Sequence, residues 1–167
     1  MSARASGLRI SQFGPLRGYR PCVGMMVINP AGLVFIGERC GAVGGWQMPQ
    51  GGIDRGEPAR DAARRELVEE IGTDRVELAR ESSRWYAYDL PPEHIPNFHG
   101  GRYRGQSQRW FAFRFAGSDA DIDLKTVKPE FCRWRWAEPH EVVELIVPFK
   151  RAVYEAVFEE FQPLLGR

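Results

Sequence analysis

The sequence of 167 residues has little cysteine and no long apolar run. Its three cysteines, Cys22, Cys40 and Cys132, are widely spaced and form no C-x-x-C pair, so we expect free thiols in a reducing compartment. No segment reaches the roughly 18 apolar residues of a membrane span. The first residues lack the apolar stretch of a signal peptide. We therefore expect a cytoplasmic protein with no membrane contact.

Excess charge of either sign is also absent. The formal net charge is +1, so any cationic surface is local, and a nucleic-acid partner is neither required nor excluded. Apolar residues make up 43% and charged residues 27%, which is typical of a globular domain. This length predicts one domain with its own core. We expect residues 1–17 to form a flexible tail and residues 18–167 to form the domain.

The apolar pattern predicts an α+β fold with a mixed sheet between helical layers. Two short apolar runs, CVGMMVI from Cys22 and LVFIGER from Leu33, are joined by the turn-forming NPAG and indicate a hairpin. Further strands are predicted at ESSRWYAYDL, SQRWFAFRF and RWRWAEP. The second of these has aromatic residues on both faces, which favours a strand covered on both sides. Helices are predicted at PHEVVELI and PFKRAVYEAVFEEFQ.

The most informative helix is predicted between Pro58 and Ile71, with Gly72 as its stop. At about 100° per residue, three carboxylates share one side of this helix and three aliphatic residues lie roughly opposite. The carboxylates are Glu66, Glu69 and Glu70, and the aliphatic residues are Leu67, Val68 and Ile71. Ala59 and Ala62, on the carboxylate side, are expected to leave space above it.

The three glutamates allow two interpretations. They fit the solvated face of an amphipathic helix. However, carboxylates at this spacing repel one another, and a divalent cation would remove the repulsion. Oxygen ligands without nearby His or Cys favour Mg²⁺ or Mn²⁺. The glycines that precede the helix, Gly51 and Gly52, would let backbone groups approach an ion or a phosphate closely.

The segment GGIDRGEPARDAARRELVEEIGT, from Gly51 to Thr73, resembles the Nudix box. The positions that match are Gly51, Glu57, Arg65, Glu66, Leu67, Glu69, Glu70 and Gly72. The one departure is Thr73, which stands where the box has an aliphatic residue and has a similar shape. The resemblance implies a Nudix fold, with the sheet sandwiched between α-helices, and hydrolysis of a nucleoside diphosphate linked to another group.

Five strings, four outside the box and one that overlaps its start, are similar to the bacterial RNA pyrophosphohydrolases and the related dinucleoside polyphosphate hydrolases. They are GYRP, GWQMPQGGID, GQSQRWF, PEFCRWRW and PFKRAVY. In their order and spacing they extend the resemblance from about Gly18 to Phe158.

The resemblance implies a catalytic centre that holds two or more Mg²⁺ or Mn²⁺ ions, which activate water and clamp the polyphosphate. The implied metal ligands are Glu66, Glu69, Glu70, Glu130 and a main-chain carbonyl near Gln50. Glu66, Glu69 and Glu130 are the catalytic candidates. Glu130 would be a ligand or the general base, and the alternative is a surface glutamate before a strand. Arg65 and Glu57 are expected to orient the carboxylates through ion pairs.

A substrate cleft is also implied. Arg20, Arg39 and Lys150 would bind the phosphates, although each could instead be a solvated surface charge. Val147 and Phe149 would form an apolar wall for a base, with Arg39 stacking on it. Core packing is the competing interpretation for Phe149.

The stretch from Pro91 to Arg109 is rich in Pro, Gly, His and Arg and is predicted to be a loop. It would guide an RNA 5′ end or a second nucleoside, or it is only a mobile hairpin tip. His94 and His99 lack partners at metal-ligand spacing, so no chemistry is assigned to them.

The predicted function is metal-dependent removal of pyrophosphate, or of successive phosphates, from the 5′-triphosphate end of RNA to leave a monophosphate. A dinucleoside polyphosphate hydrolase is the alternative within the same chemistry. Cleavage of a nucleoside-diphosphate sugar or of a mononucleotide triphosphate is a further alternative. A nucleotide-binding regulator without activity is the alternative from another class, and the intact glutamates argue against it. No obligate protein partner is inferred.

Overall fold

The computed structural model describes residues 7–165, and within them the chain forms eight β-strands and three α-helices. The strands are β1 (Arg9–Ser11), β2 (Arg20–Ile28), β3 (Val34–Arg39), β4 (Trp46–Gln47), β5 (Gln50–Gly52), β6 (Val76–Asp89), β7 (Gly105–Phe115) and β8 (Phe131–Ala137). The helices are α1 (Ala59–Ile71), α2 (Pro139–Leu145) and α3 (Arg151–Phe161). In this part of the chain, none of the helices is both long and apolar enough to span a bilayer.

The strands form one mixed sheet in the order β1-β6-β7-β2-β3-β4, with β5 paired to β2 and β8 paired to β3. Strands β2 and β7 run parallel, and the other pairs are antiparallel. The predicted hairpin is present, since Ile28 pairs with Val34. Its turn is held by the side chain of Asn29, which accepts hydrogen bonds from the N–H groups of Ala31 and Leu33 at 3.0 and 2.9 Å.

Two apolar layers cover the two faces of the sheet, which confirms the predicted α+β sandwich. Alternate residues of β2 point to opposite sides, so that Met25 packs in the layer under α1 and Met26 in the layer under α2 and α3. Strand β7 divides in the same way. Phe111 lies on the α1 side and Trp110 on the α3 side, and both are fully buried. The central strands are therefore covered on both faces, as the aromatic pattern predicts.

A predicted loop and a predicted tail both contain regular secondary structure. The stretch from Pro91 to Arg109 is not all loop, because it contains short 3-10 turns at Pro92–Asn97 and His99–Gly101 and β7 begins at Gly105. Within the expected tail, Arg9–Ser11 pairs with β6 as an edge strand. Residues 1–6 of that tail lie outside the described residues. Its flexibility stays a prediction.

The expectation of three free thiols was wrong for two of the cysteines. Cys40 and Cys132 are joined by a disulfide, with their Cα atoms 5.0 Å apart, whereas Cys22 is free and buried. The two cysteines are 92 residues apart in sequence. Strands β3 and β8 are antiparallel neighbours, with Arg39 opposite Phe131, and this pairing brings the two cysteines together. Cysteine spacing alone does not reveal such a contact.

Candidate active site

Helix α1 carries the predicted carboxylates, and its ends follow the signals in the sequence. It begins after Pro58 and ends at Ile71. Gly72 then takes a left-handed conformation, with φ 73°, and its N–H donates to the carbonyl of Val68 at 3.0 Å. Glycine adopts this conformation without steric cost, so the helix stops here.

The buried face of α1 differs from the expected one. Leu67 and Ile71 are buried as predicted, but Val68 is 44% exposed and Glu70 only 4% exposed. Ala62, which was expected to leave open space, is fully buried. Packing against β2 and β5 therefore rotates the helix so that one carboxylate of the predicted acidic side enters the interior.

Arg65 connects the carboxylates of α1. Its guanidinium donates two hydrogen bonds to Glu57, from Nε at 2.9 Å and from Nη2 at 2.8 Å. It also donates to Glu66 at 2.9 Å, to Glu69 at 3.4 Å and to the carbonyl of Gly52 at 2.9 Å. The hydrogen bonds from Arg65 lower the pKa of Glu57 to about 2. A bidentate pair of this kind restricts both side chains, and the predicted orienting role rests on this contact.

The two glycines of β5 make room for side chains. A Cβ atom added to Gly51 would overlap the carboxyl group of Glu66, and one added to Gly52 would overlap the guanidinium of Arg20. Close packing against Glu66 and Arg20 therefore needs glycine at both positions, and the approach of an ion or a phosphate to this backbone stays a prediction. Arg20 lies beside β5 and is not among the residues that line the cleft described below.

Glu70 is a buried carboxylate with few hydrogen bonds to replace its lost hydration. Its Oε2 accepts one long hydrogen bond, at 3.3 Å, from the backbone N–H of Gln50. Desolvation raises the pKa of Glu70 well above its ordinary value, and the negative charges of Glu130 and Glu66 raise it further. Desolvation also raises the pKa of Glu66. A cation placed among these groups would offset both effects.

The residues present fit a divalent cation in their chemistry, although they do not form a closed cage. Within residues 7–165, no three His, Cys, Asp or Glu side chains converge closely enough to hold a metal ion in their present orientations. Arg65 accounts for part of this, because it engages Glu66 and Glu69. The four predicted carboxylates nevertheless line one cavity of about 710 Å³. They are Glu66, Glu69, Glu70 and Glu130. Oxygen donors of this kind suit Mg²⁺ or Mn²⁺.

A second cavity, of about 430 Å³, lies at the end of the sheet beside β4 and the 3-10 turn at Pro148–Lys150. We call it the cleft. Four of the five predicted substrate residues line it: Arg39, Val147, Phe149 and Lys150. Glu130 lines both the cleft and the carboxylate cavity. The cleft and the carboxylates of α1 are therefore adjacent.

Lys150 is the buried cation of the cleft and is 7% exposed. Its Nζ lies 3.5 Å from the side-chain oxygen of Gln47 and 5.6 Å from the ring centroid of Tyr88. Desolvation, together with the nearby positive charge of Arg39, lowers the pKa of Lys150 to about 8. A buried lysine without strong compensation is suited to receive an anion.

Phe149 is half-buried, and it both packs against the core layer under α2 and α3 and lines the cleft. Its ring centroid lies 5.7 Å from that of Tyr88 and 6.0 Å from that of His94, which meets it edge-on at 79°. Sequence reasoning missed Tyr88, His94 and Phe98 as lining residues. The only signal for them was the aromatic and histidine content near Pro91.

A chain of glutamine side chains supports the cleft floor, and sequence reasoning also missed it. Gln108 donates from Nε2 to Gln50 at 3.1 Å and to Gln106 at 2.9 Å. The indole N–H of Trp110 donates to the side-chain oxygen of Gln108 at 3.1 Å. These hydrogen-bonded side chains connect the buried layer under α3 to the start of β5. In the sequence, Gln106, Gln108 and Trp110 belong to GQSQRWF, which carries part of the family resemblance.

The mixed sheet between helical layers, with a carboxylate-bearing helix directly after β5, defines a Nudix-fold protein. The model of the NUDIX domain family matches residues 18–157. The chain belongs to this family.

Curated relatives are similar over most of the chain. A protein of Dinoroseobacter shibae named RNA pyrophosphohydrolase is 54% identical over 150 residues, which cover 88% of this chain and 94% of that protein. One of Rickettsia canadensis with the same name is 49% identical over 148 residues, covering 88% and 92%.

Solved structures show the same fold at low identity. The dihydroneopterin triphosphate pyrophosphohydrolase of E. coli aligns with a TM-score of 0.61 and 18% identity, covering 84% of this chain and 97% of that one. An Ap4A hydrolase of C. elegans aligns with a TM-score of 0.60 and 16% identity, covering 86% and 97%. These two likenesses concern the fold alone.

Proposed function

We propose that the protein removes pyrophosphate, or successive phosphates, from the 5′-triphosphate end of RNA and leaves a 5′-monophosphate. The observation that carries this proposal is the position of Glu130, which lines both the cleft and the carboxylate cavity. A polyphosphate that enters the cleft would therefore reach the carboxylates of α1. The choice of RNA is supported by the curated relatives named RNA pyrophosphohydrolase at 49–54% identity. A cytoplasmic location stays a prediction.

Members of this family generally use divalent metal ions. The residues that would hold Mg²⁺ or Mn²⁺, two or more ions, are Glu66, Glu69, Glu70, Glu130 and the main-chain carbonyl of Gln50. Bound metal would lower the pKa of a water molecule and neutralise charge on the phosphates.

The protein's own side chains would position the carboxylates that bind metal and would accept a proton. Arg65 would hold Glu66 and Glu69 in place through the hydrogen bonds described above, with Glu57 fixing the guanidinium from its other side. Glu130 would act as a metal ligand or accept the proton of the attacking water. Both roles need a carboxylate at the border between the two cavities.

The substrate would be held by charge at one end and by stacking at the other. Lys150 and Arg39 would bind the phosphates, since both line the cleft and repel each other in the absence of an anion. Phe149 and Val147 would contact the base. Arg20 lies beside β5 and would act on phosphates near the carboxylates rather than in the cleft.

One experiment separates the candidates. The protein is incubated with Mg²⁺ and either 5′-triphosphorylated RNA of two or three nucleotides or diadenosine tetraphosphate, and kcat/KM is measured for each. The same RNA with a 5′-monophosphate is the matched control. The proposal predicts higher efficiency on the triphosphorylated RNA and a monophosphorylated product. Release of no phosphate from any substrate would favour a regulator without activity.

A dinucleoside polyphosphate hydrolase remains the second candidate because the cleft has more than one aromatic surface. Phe149, Tyr88, His94 and Phe98 all line it, and two bases need two stacking positions. If diadenosine tetraphosphate is cleaved far better than triphosphorylated RNA of any length, this second function replaces the first.

A further inference from the structure

The disulfide lies next to two residues of the candidate site. Cys40 directly follows Arg39, which lines the cleft, and Cys132 comes two positions after Glu130. The backbone N–H of Cys40 donates to the carbonyl of Glu130 at 2.9 Å. The Cys40–Cys132 bond therefore fastens the beginning of β8, and with it the backbone of Glu130, to the end of β3.

Both bonded cysteines are accessible from solvent, and the third is not. Cys40 and Cys132 are exposed, whereas Cys22 is 1% exposed. Burial raises the pKa of the Cys22 thiol to about 12, which makes it unreactive. Exposed disulfides exchange with external thiols more readily than buried structural ones. Within the described chain, only the pair beside the site is placed for reversible exchange.

We propose that Cys40 and Cys132 form a reversible thiol–disulfide site whose oxidation immobilises Glu130 against β3. The reactant is a small-molecule disulfide. The thiolate of one cysteine attacks this disulfide, forms a mixed disulfide and releases one thiol. The other cysteine then attacks the mixed disulfide and releases the second thiol. Two protein thiols are oxidised, one external disulfide is reduced to two thiols, and the two cysteine protons end on the released thiols.

The position of Glu130 depends on this junction. Glu130 is exposed and stands at the end of residues 122–130, an irregular stretch that follows the 3-10 turn at Asp119–Asp121. Its carbonyl is held by Cys40, and the ladder resumes where Arg39 pairs with Phe131, next to a register shift. Without the covalent bond, these contacts belong to an exposed strand end, where local opening is easiest.

The effect on catalysis rests on the proposed function. A misplacement of a reacting group by about 1 Å can cost about 10²-fold in rate. Partial loosening of the junction is a smaller change, so we expect kcat/KM to fall roughly three- to tenfold when the bond is reduced. The two cysteines are separated by 92 positions. Closing a loop of this size predicts a melting temperature on the order of 10 °C higher for the oxidised protein.

The test equilibrates the full-length protein with reduced and oxidised glutathione at several ratios. Samples are quenched and alkylated under denaturing conditions, and mass spectrometry gives the number of labelled cysteines per chain. The chain has three cysteines and one disulfide, so the reduced protein should take three labels and the oxidised protein one. Hydrogen exchange, melting temperature and kcat/KM are then measured on both forms. We expect slower exchange over residues 126–132 in the oxidised form.

Matched variants separate this site from its surroundings. Cys40→Ser and Cys132→Ser should each keep the hydrogen exchange, melting temperature and kcat/KM of the reduced protein at every glutathione ratio, with the remaining exposed cysteine either labelled or carrying one glutathione. Cys22→Ala should keep the full response. Three labels at all ratios would overturn the site. One label with unchanged exchange, melting and kcat/KM would overturn its effect on Glu130. If neither form releases phosphate, the proposed function fails, while labels, exchange and melting still decide whether the site exists.

Discussion

Replacement of Lys150 by methionine should raise the stability of the protein and lower its activity. Lys150 is 7% exposed and its pKa is lowered from 10.5 to about 8, chiefly by desolvation. This difference corresponds to a penalty of about 3 kcal/mol for burying the charged form. Methionine has similar length, carries no charge and fills irregular space well. Lys150→Met should therefore raise the free energy of unfolding by up to about 3 kcal/mol at pH 7.

The direction of the Lys150 pKa shift determines the pH range in which Lys150→Met is more stable. The folded state holds the Lys150 proton less tightly than the unfolded state, so the penalty is fully present below pH 8. It declines as the pH rises from about 8 towards 10.5, where the unfolded chain also loses the proton. The advantage of Lys150→Met should thus shrink from about 3 kcal/mol at pH 7 to about 1 kcal/mol at pH 9.5.

Urea unfolding of both proteins at pH 7 and pH 9.5, without substrate, measures this difference. Lys128→Met is the matched control, because Lys128 is exposed and its removal should leave stability nearly unchanged at both pH values. The same Lys150 variant should lose on the order of 10²-fold in kcat/KM on triphosphorylated RNA, since it no longer neutralises phosphate charge. A Lys150→Met protein that is less stable at pH 7, or whose gain does not depend on pH, would refute the account of Lys150 as an uncompensated buried cation.

Four further predictions concern the site. Glu70→Gln should keep the fold and lower Mg²⁺-dependent turnover by roughly 10² or more; full turnover in steady-state kinetics would contradict the metal site. Phe149→Ala should change the relative kcat/KM of RNAs that differ in the adjacent base, whereas equal losses on all of them with a large drop in melting temperature would identify a core residue. Replacing Arg102 and Arg104 by Ala should reduce the gain in kcat/KM between a triphosphorylated mononucleotide and a short RNA, and an unchanged gain would exclude the loop from RNA binding. Gly51→Ala should lower the free energy of unfolding in urea by about 1–3 kcal/mol, because its methyl group would overlap the carboxyl group packed against it; unchanged stability would disprove this packing.

The helix and strand positions were largely predictable because they depend on local patterns. Proline at the start and glycine at the stop of α1 act through backbone conformation, which neighbouring residues determine. Alternation along β7 likewise reflects which side of one strand each residue occupies. The 3-10 turns after Pro91 were not predictable, since such short turns have weak sequence signals and their conformation depends on packing.

The candidate site was predictable in its composition and not in its arrangement. The Nudix box places Glu66, Glu69 and Glu70 on one helix, but nothing in the box shows that Glu70 is buried or that Arg65 engages the other two. Only the family resemblance predicts a role for Glu130. Its place at the border of the two cavities depends on how residues 122–130 return to the sheet.

The sequence by itself determined the family, the α+β class and the residue types of the proposed polyphosphate and metal site, because these depend on local spacing and composition. The tertiary structure decided which of those residues meet. The pairing of β3 with β8 joins Cys40 to Cys132, and the packing of the 3-10 turn at Pro148–Lys150 buries the cation of the cleft. Burial and contact between residues far apart in sequence are properties of the folded chain, and the pKa of Lys150 follows from them.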